Sequence, residues 1–294
     1  MKGCFAVFEI FTDSASNIPK RLIKKYKIHV VPFTCVIDGE EYRCDSDKSQ
    51  FDYDMFYKAL RDKKNVGTSM VNTEEFAAAF AAAAKSGKSI MYIGLSSALS
   101  GTFNAARLAL QSLKSQYPNL DFVAIDTLSG SYGEGLICYY AAKMRENGMT
   151  VHETARRINS IIPHLRSRFS ADDLFYIKRG GRISAATAVC GAMLGIKPML
   201  KAQTDGKIVM YDKVRGRRAA LDKLVDELIE SVDITKHQIV SLSHADCKAD
   251  ADYIVSRLKK LPYISDVLVG LMEPVTAAHG GPGMIALFYL AKEN

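Results

Sequence analysis

The chain of 294 residues is 48% hydrophobic with a formal charge of +7, enough for a large core or two modest domains, and basic without being polybasic. It has no tryptophan and its cations are not interleaved with aromatics, so a stacking platform for single-stranded nucleic acid is not suggested. No apolar run approaches about 18 residues, no signal-like segment opens the chain, and the six cysteines form no C-x-x-C, so a reduced, cytoplasmic protein is expected.

In chain order, the run from Phe5 reads as a strand that stops at Thr12-Asp-Ser-Ala-Ser16. Ser16 or Asn17 then caps a helix with Pro19 near its start and Leu22, Ile23 and Tyr26 on its apolar face. Residues 28–37 are rich in β-branched side chains and predict one strand. Phe51, Met55, Phe56 and Leu60 recur at helical spacing. Asn72-Thr-Glu-Glu75 resembles a capping box ahead of an alanine-rich helix that Gly87 ends. A strand at 90–94, a helix at about 102–116, a strand at about 121–126 and a helix at about 133–147 closed by Gly148 follow. This alternation predicts a parallel sheet covered by helices on both faces.

Beyond a bridging helix at about 151–165 the pattern changes. Two strands surround the hairpin signal Asp205-Gly206, and strands near 238–243 and 264–271 flank a helix near 246–260. The expected fold is α/β: an N-terminal parallel-sheet α/β domain over residues 1–155 and an antiparallel α+β domain over 156–294, with a ligand between them.

Three apolar runs in the first half end in Ser, Thr and Gly: at Thr12–Ser16, at Ser96-Ser-Ala-Leu-Ser-Gly-Thr102 and at Asp126-Thr-Leu-Ser-Gly-Ser131. A strand that stops at hydroxyls and opens a helix offers free N–H groups and a positive dipole end to an anion, and parallel sheets gather such turns at the strands' carboxyl ends. Standard motifs do not account for them. Gly87-Lys88-Ser89 lacks the first P-loop glycine, since Ala82 stands there. Gly130, Gly133 and Gly135 have the wrong dinucleotide spacing. Ser131 has Ser129 where a nucleophile elbow begins with glycine, and the histidines show no metal spacing. Asp13 and Asp126 read as caps of their turns in preference to a catalytic pair. Later, Lys178-Arg-Gly-Gly-Arg-Ile183 reads as a cationic clamp whose glycines let an anion approach. His279-Gly-Gly-Pro-Gly283 reads as a loop histidine facing it, and Lys213-Val-Arg-Gly-Arg-Arg218 as a basic surface cluster suited to an acidic partner.

The three hydroxyl turns, Gly67-Thr-Ser69, Arg179-Gly-Gly-Arg-Ile183 and His279-Gly-Gly-Pro-Gly283 stand in one order along the chain, and in that order it resembles the DegV family, the fatty-acid-binding subunits of bacterial fatty acid kinase. Met70-Val-Asn72 departs from the proline and serine usual there. The resemblance implies a non-enzymatic carrier that needs no cofactor and no metal and binds a long-chain fatty acid. Its carboxylate would lie at Thr68 and Ser100, supported by Ser69, Gly101, Thr102 and Ser14. Arg179, Arg182 and His279 would face the head group, and Arg215, Arg217 and Arg218 would dock an ATP-dependent kinase subunit that forms the acyl phosphate. The rival reading is an α/β hydrolase or transferase using Ser100 or Ser131, which would need a base that no neighbouring residue supplies.

Overall fold

The structure is a computed structural model that describes residues 8–44, 51–183, 195–235 and 237–292. Cys4, Cys190 and the start of the first apolar run, Phe5 to Val7, lie outside the described residues. Four strands form a parallel sheet in the order β2-β1-β6-β7: β1 (Glu9–Asp13), β2 (Ile28–Val31), β6 (Ile90–Gly94) and β7 (Phe122–Asp126). Every residue of β6 is buried, as an inner strand covered on both faces requires.

The 28–37 run is two strands, a correction to the single one predicted. Pro32 has no N–H for a ladder, and at that point the chain leaves the parallel sheet. The second piece, β3 (Phe33–Ile37), is the centre of a separate antiparallel sheet with β4 (Glu40–Cys44) and β5 (Val66–Ser69).

The helices match their sequence signals more closely, because their signals are local. α1 (Lys20–Tyr26) begins after Pro19, and neither Ser16 nor Asn17 caps it. Asp52 caps α2 (Tyr53–Arg61), the Asn72/Glu75 capping box starts α3 (Thr73–Lys85), and α4 (Thr102–Gln116) and α5 (Tyr132–Glu146) follow β6 and β7. Helix α6 (Val151–Ile161), with its own capping box at Thr150, packs on α5 and β7.

The third sheet has the order β10-β9-β8-β13-β11-β12. Its strands are β8 (Leu165–Ser170), β9 (Ile196–Ala202), β10 (Ile208–Arg215), β11 (Gln238–His244), β12 (Ile264–Leu271) and β13 (Ile285–Leu290). The Asp205-Gly206 hairpin joins β9 to β10, with Gly206 at φ 80°. The expectation of purely antiparallel pairing is corrected at one place: β11 and β12 are parallel. A helix connects them, and such a crossover lets the chain return in the same direction. Helices α7 (Leu174–Gly180), α8 (Arg217–Ser231), α9 (Lys248–Leu258) and α10 (Pro274–Gly280) complete the fold. One buried cluster runs through both halves, from Phe11, Phe80 and Tyr92 to Phe169, Tyr176 and Phe288. No helix among the described residues is long and apolar enough to cross a membrane.

Candidate functional site

The parallel order β1-β6-β7 sets the three hydroxyl-rich turns side by side. Leu95 N donates to Asp13 Oδ2 (3.2 Å) and Ser96 N to Ser129 O (2.8 Å), which ties each turn to the next. The turns after β6 and β7 form one wall of a cavity of about 550 Å³; β5, α10 and the inner faces of β8 and β13 supply the others. Phe33, Leu95, Phe169, Ile177, Met284 and Phe288 make most of the lining apolar. Thr68, Ser97, Ser100, Ser129, Ser131, Ser167, Thr276, Arg182 and His279 supply its polar atoms.

At one end, Thr68 Oγ1 and His279 Nε2 lie 3.0 Å apart. Burial, then the Arg182 and Arg179 charges, push the His279 pKa down to about 4. The ring is therefore neutral at pH 7, with one N–H and one lone pair. When Nε2–H donates to Thr68, the threonine hydroxyl is left to donate into the cavity. Ser100 Oγ sits 2.9 Å from Thr102 Oγ1 and accepts from Thr102 N at 3.3 Å, at the start of α4, whose positive end faces the same space.

His279 stands on the last turn of α10, not in the loop predicted for it. The glycines of the Arg179–Ile183 segment also have a different use from the one expected. A Cβ on Gly180 would lie 2.9 Å from His279 Nδ1 and 3.2 Å from its Cα, so the close approach is between α7 and α10. Gly180→Ala would gain up to about 1 kcal/mol of helix propensity. Overpacking against α10 costs about 1–3 kcal/mol, so a net loss is expected, read as a lower urea midpoint with an unchanged m-value. A variant as stable as the parent would show that the two helices separate freely.

The structure brings Thr68, Ser100, Gly101, Arg182 and His279 to the cavity and leaves four other expected site residues off its wall. Strand alternation turns Ser69 to solvent when Thr68 faces in. Thr102 is fully buried behind Ser100. Ser14 Oγ accepts from Phe33 N (3.0 Å) on the far side of the β1 turn. Arg179 donates to the Lys64 and Val66 carbonyls and lies over the Phe175 and Tyr176 rings. Arg182 donates to the carbonyls of Gly180 (2.7 Å) and Leu99 (3.4 Å), which holds it at the rim.

The basic cluster divides. Lys213, Arg215 and Arg218 are exposed. Arg217 turns inward to Asp250 (2.8 Å) and the Gly283 carbonyl (2.7 Å), because α8 starts there and that face packs on the sheet. Ser167, with Phe169, was not anticipated. Its signal was the alternation of β8, Leu-Arg-Ser-Arg-Phe-Ser, whose inward positions are 167 and 169. Ser131 donates to Ser243 Oγ (3.1 Å) and Ser100 pairs with Thr102, so neither rival nucleophile is hydrogen-bonded to a base among the described residues. No group of three or more His, Cys, Asp or Glu there could hold a metal ion.

Beneath the β1 turn lie three fully buried acids. Asp13 accepts from Tyr92 Oη (2.6 Å), Leu95 N and Ala15 N, and burial raises its pKa to about 6. Glu134 accepts from Thr12 Oγ1 (2.8 Å) while its Oε2 has no partner, and burial and Asp13 raise it well above the usual carboxylate range. Glu273 caps α10 through Thr276 and is raised by burial as well.

The family model described as "Uncharacterised protein, DegV family" matches residues 7–292, and the chain belongs to the DegV family. A DegV domain-containing protein of Clostridium perfringens is 36% identical over 283 residues, which cover 96% of this chain and 97% of that protein. The crystal structure of a DegV lipid binding protein from Thermotoga maritima superposes with a TM-score of 0.86 at 26% identity, covering 98% of this chain and 99% of that one. DegV of Bacillus subtilis, a fatty acid binding protein, gives 0.84 at 26% identity, covering 98% and 100%.

Proposed function

We propose that this DegV-family chain binds a long-chain fatty acid, its tail in the cavity and its carboxylate at Thr68 and Ser100. The observation that carries the reading is a mostly apolar cavity of about 550 Å³ with the Thr68–His279 pair on its wall. Each buried methylene contributes about 0.8 kcal/mol, while a carboxylate taken out of water must be met by charge-assisted hydrogen bonds. Thr68 and Ser100 supply two hydroxyl donors, the first turn of α4 supplies a favourable dipole, and Arg182 supplies a cation at the rim. The fatty-acid-binding relatives support the same ligand class.

The finer reading is that the protein is a carrier: an ATP-dependent partner kinase phosphorylates the bound carboxylate to an acyl phosphate. In this reading the partner holds the ATP; the glycine-bearing segments Gly87-Lys88-Ser89 and Gly130-Gly133-Gly135 lack P-loop and dinucleotide spacing. In this reading the carboxylate end lies near the surface, beside the exposed Ser97, Ala98 and Gly101, with His279 and Arg182 facing it. Lys213, Arg215 and Arg218 form an exposed basic patch suited to an acidic docking face. Native mass spectrometry of gently purified protein should find a co-purifying fatty acid, and addition of the kinase and ATP should convert it to acyl phosphate. An empty cavity together with ester hydrolysis would overturn the reading in favour of a hydrolase.

A further inference from the structure

We propose that the cavity selects a fatty acid bearing an oxygen substituent, hydroxyl or keto, near the middle of its chain, recognised by Ser129 and Ser167; the proposal rests on the fatty-acid reading above. The cavity runs along β13: Met284, just before the strand, and the alternate strand residues Ala286 and Phe288 all line it. Met284 marks the carboxylate end. Its backbone N donates to Gly281 O, two residues from His279, and its side chain fills the space beside Gly280. Phe288 lies four residues further along the chain. Ser167 is its register partner on β8, and the Phe288 ring and Ser129 Oγ both occupy the space where a Cβ on Gly133 would lie.

Four residues at about 3.3 Å each put the two residues about 13 Å apart. An extended polypeptide covers about 3.3–3.6 Å in three backbone bonds, so the same length is about eleven bonds of an extended acyl chain. The serines therefore meet the chain near its tenth to twelfth carbon.

At that depth an acyl tail presents only methylene groups, which cannot satisfy a hydroxyl. Ser129 Oγ and Ser167 Oγ lie 3.0 Å apart and share one hydrogen bond. Two hydroxyls carry two protons, and the shared bond uses one. The other contact of the pair is from Ser129 Oγ to the Gly130 carbonyl at 3.5 Å, beyond the range of a good O–H···O bond. One O–H is thus left to donate to an acceptor in the cavity. The same wall holds Ser131 at φ 50°, a left-handed conformation unusual for serine, and its hydroxyl is already committed to Ser243.

The test is calorimetric titration of the delipidated full chain with octadecanoate, 10-hydroxyoctadecanoate and 12-hydroxyoctadecanoate. At least one hydroxy acid is expected to bind as tightly as octadecanoate or more so. In Ser129→Ala/Ser167→Ala its affinity should fall by about tenfold, one lost hydrogen bond, while octadecanoate affinity stays within about threefold and reports that the variant is folded. Both hydroxy acids binding more than about tenfold below octadecanoate to the parent chain would overturn the proposal, as would equal losses for all three ligands in the variant. Failure of the parent chain to bind any of the three would overturn the fatty-acid reading itself.

Discussion

Replacing Thr68 and Ser100 together by alanine is expected to lower fatty-acid affinity by about 3–6 kcal/mol, two hydrogen bonds to a charged group at about 1.5–3 kcal/mol each. That is roughly a hundredfold to ten-thousandfold in the dissociation constant. The fold should survive. Thr68 is half-buried on the outer strand β5, and the Ser100 hydroxyl bonds to its neighbour Thr102. Titration with octadecanoate measures the loss. Thr68→Ser keeps the hydroxyl within reach of His279 and should retain most of the affinity, which separates the chemistry of the group from its packing. A double variant that loses less than about tenfold would place the carboxylate elsewhere on the cavity wall.

Glu134→Gln should make the protein more stable above neutrality and flatten its pH profile. Burial raises the Glu134 pKa, so above the ordinary value of 4.5 the unfolded chain gives up a proton that the folded chain keeps. The folded state then binds more protons, and stability falls as pH rises, at up to about 1.4 kcal/mol per pH unit for each such group. Asp13 acts in the same direction from 3.8 to about 6, contributing about 3 kcal/mol over that window. His279 opposes it. Its pKa is lowered from 6.5 to about 4, so in that interval the unfolded chain takes up a proton that the folded chain does not, and stability rises with pH. Asp13 and His279 thus largely cancel between about pH 4 and 6, and the raised Glu134 and Glu273 give the net decline with rising pH. Glutamine keeps the acceptor for Thr12 and removes the titration. Urea midpoints at pH 5, 6.5 and 8 should fall steeply for the parent chain and less steeply for the variant. Parallel profiles would mean that Glu134 titrates at its ordinary value in the folded protein.

The chain by itself determined what depends on neighbours in sequence. The capping box at Asn72, the Asp205-Gly206 hairpin, Gly148 after α5 and the strands that stop at hydroxyls are all set by interactions within a few residues, and all are present. The ordered motifs carried the family as well. Only the tertiary structure decided which side chains reach the cavity. On β5 a single step of strand parity puts Thr68 inside and Ser69 outside. Arg179 reads as part of an anion clamp and Arg217 as part of a basic surface cluster, yet each finds backbone carbonyls of a distant element, Lys64 and Val66 for one and Gly283 for the other. The glycines of Arg179–Ile183 read as admitting an anion, and the close approach is instead to His279 on α10. The 28–37 run reads as one strand, and only the structure shows it broken at Pro32 and carried into another sheet. In each case the deciding contact joins residues far apart in the chain, where spacing holds no information and packing alone selects the partner.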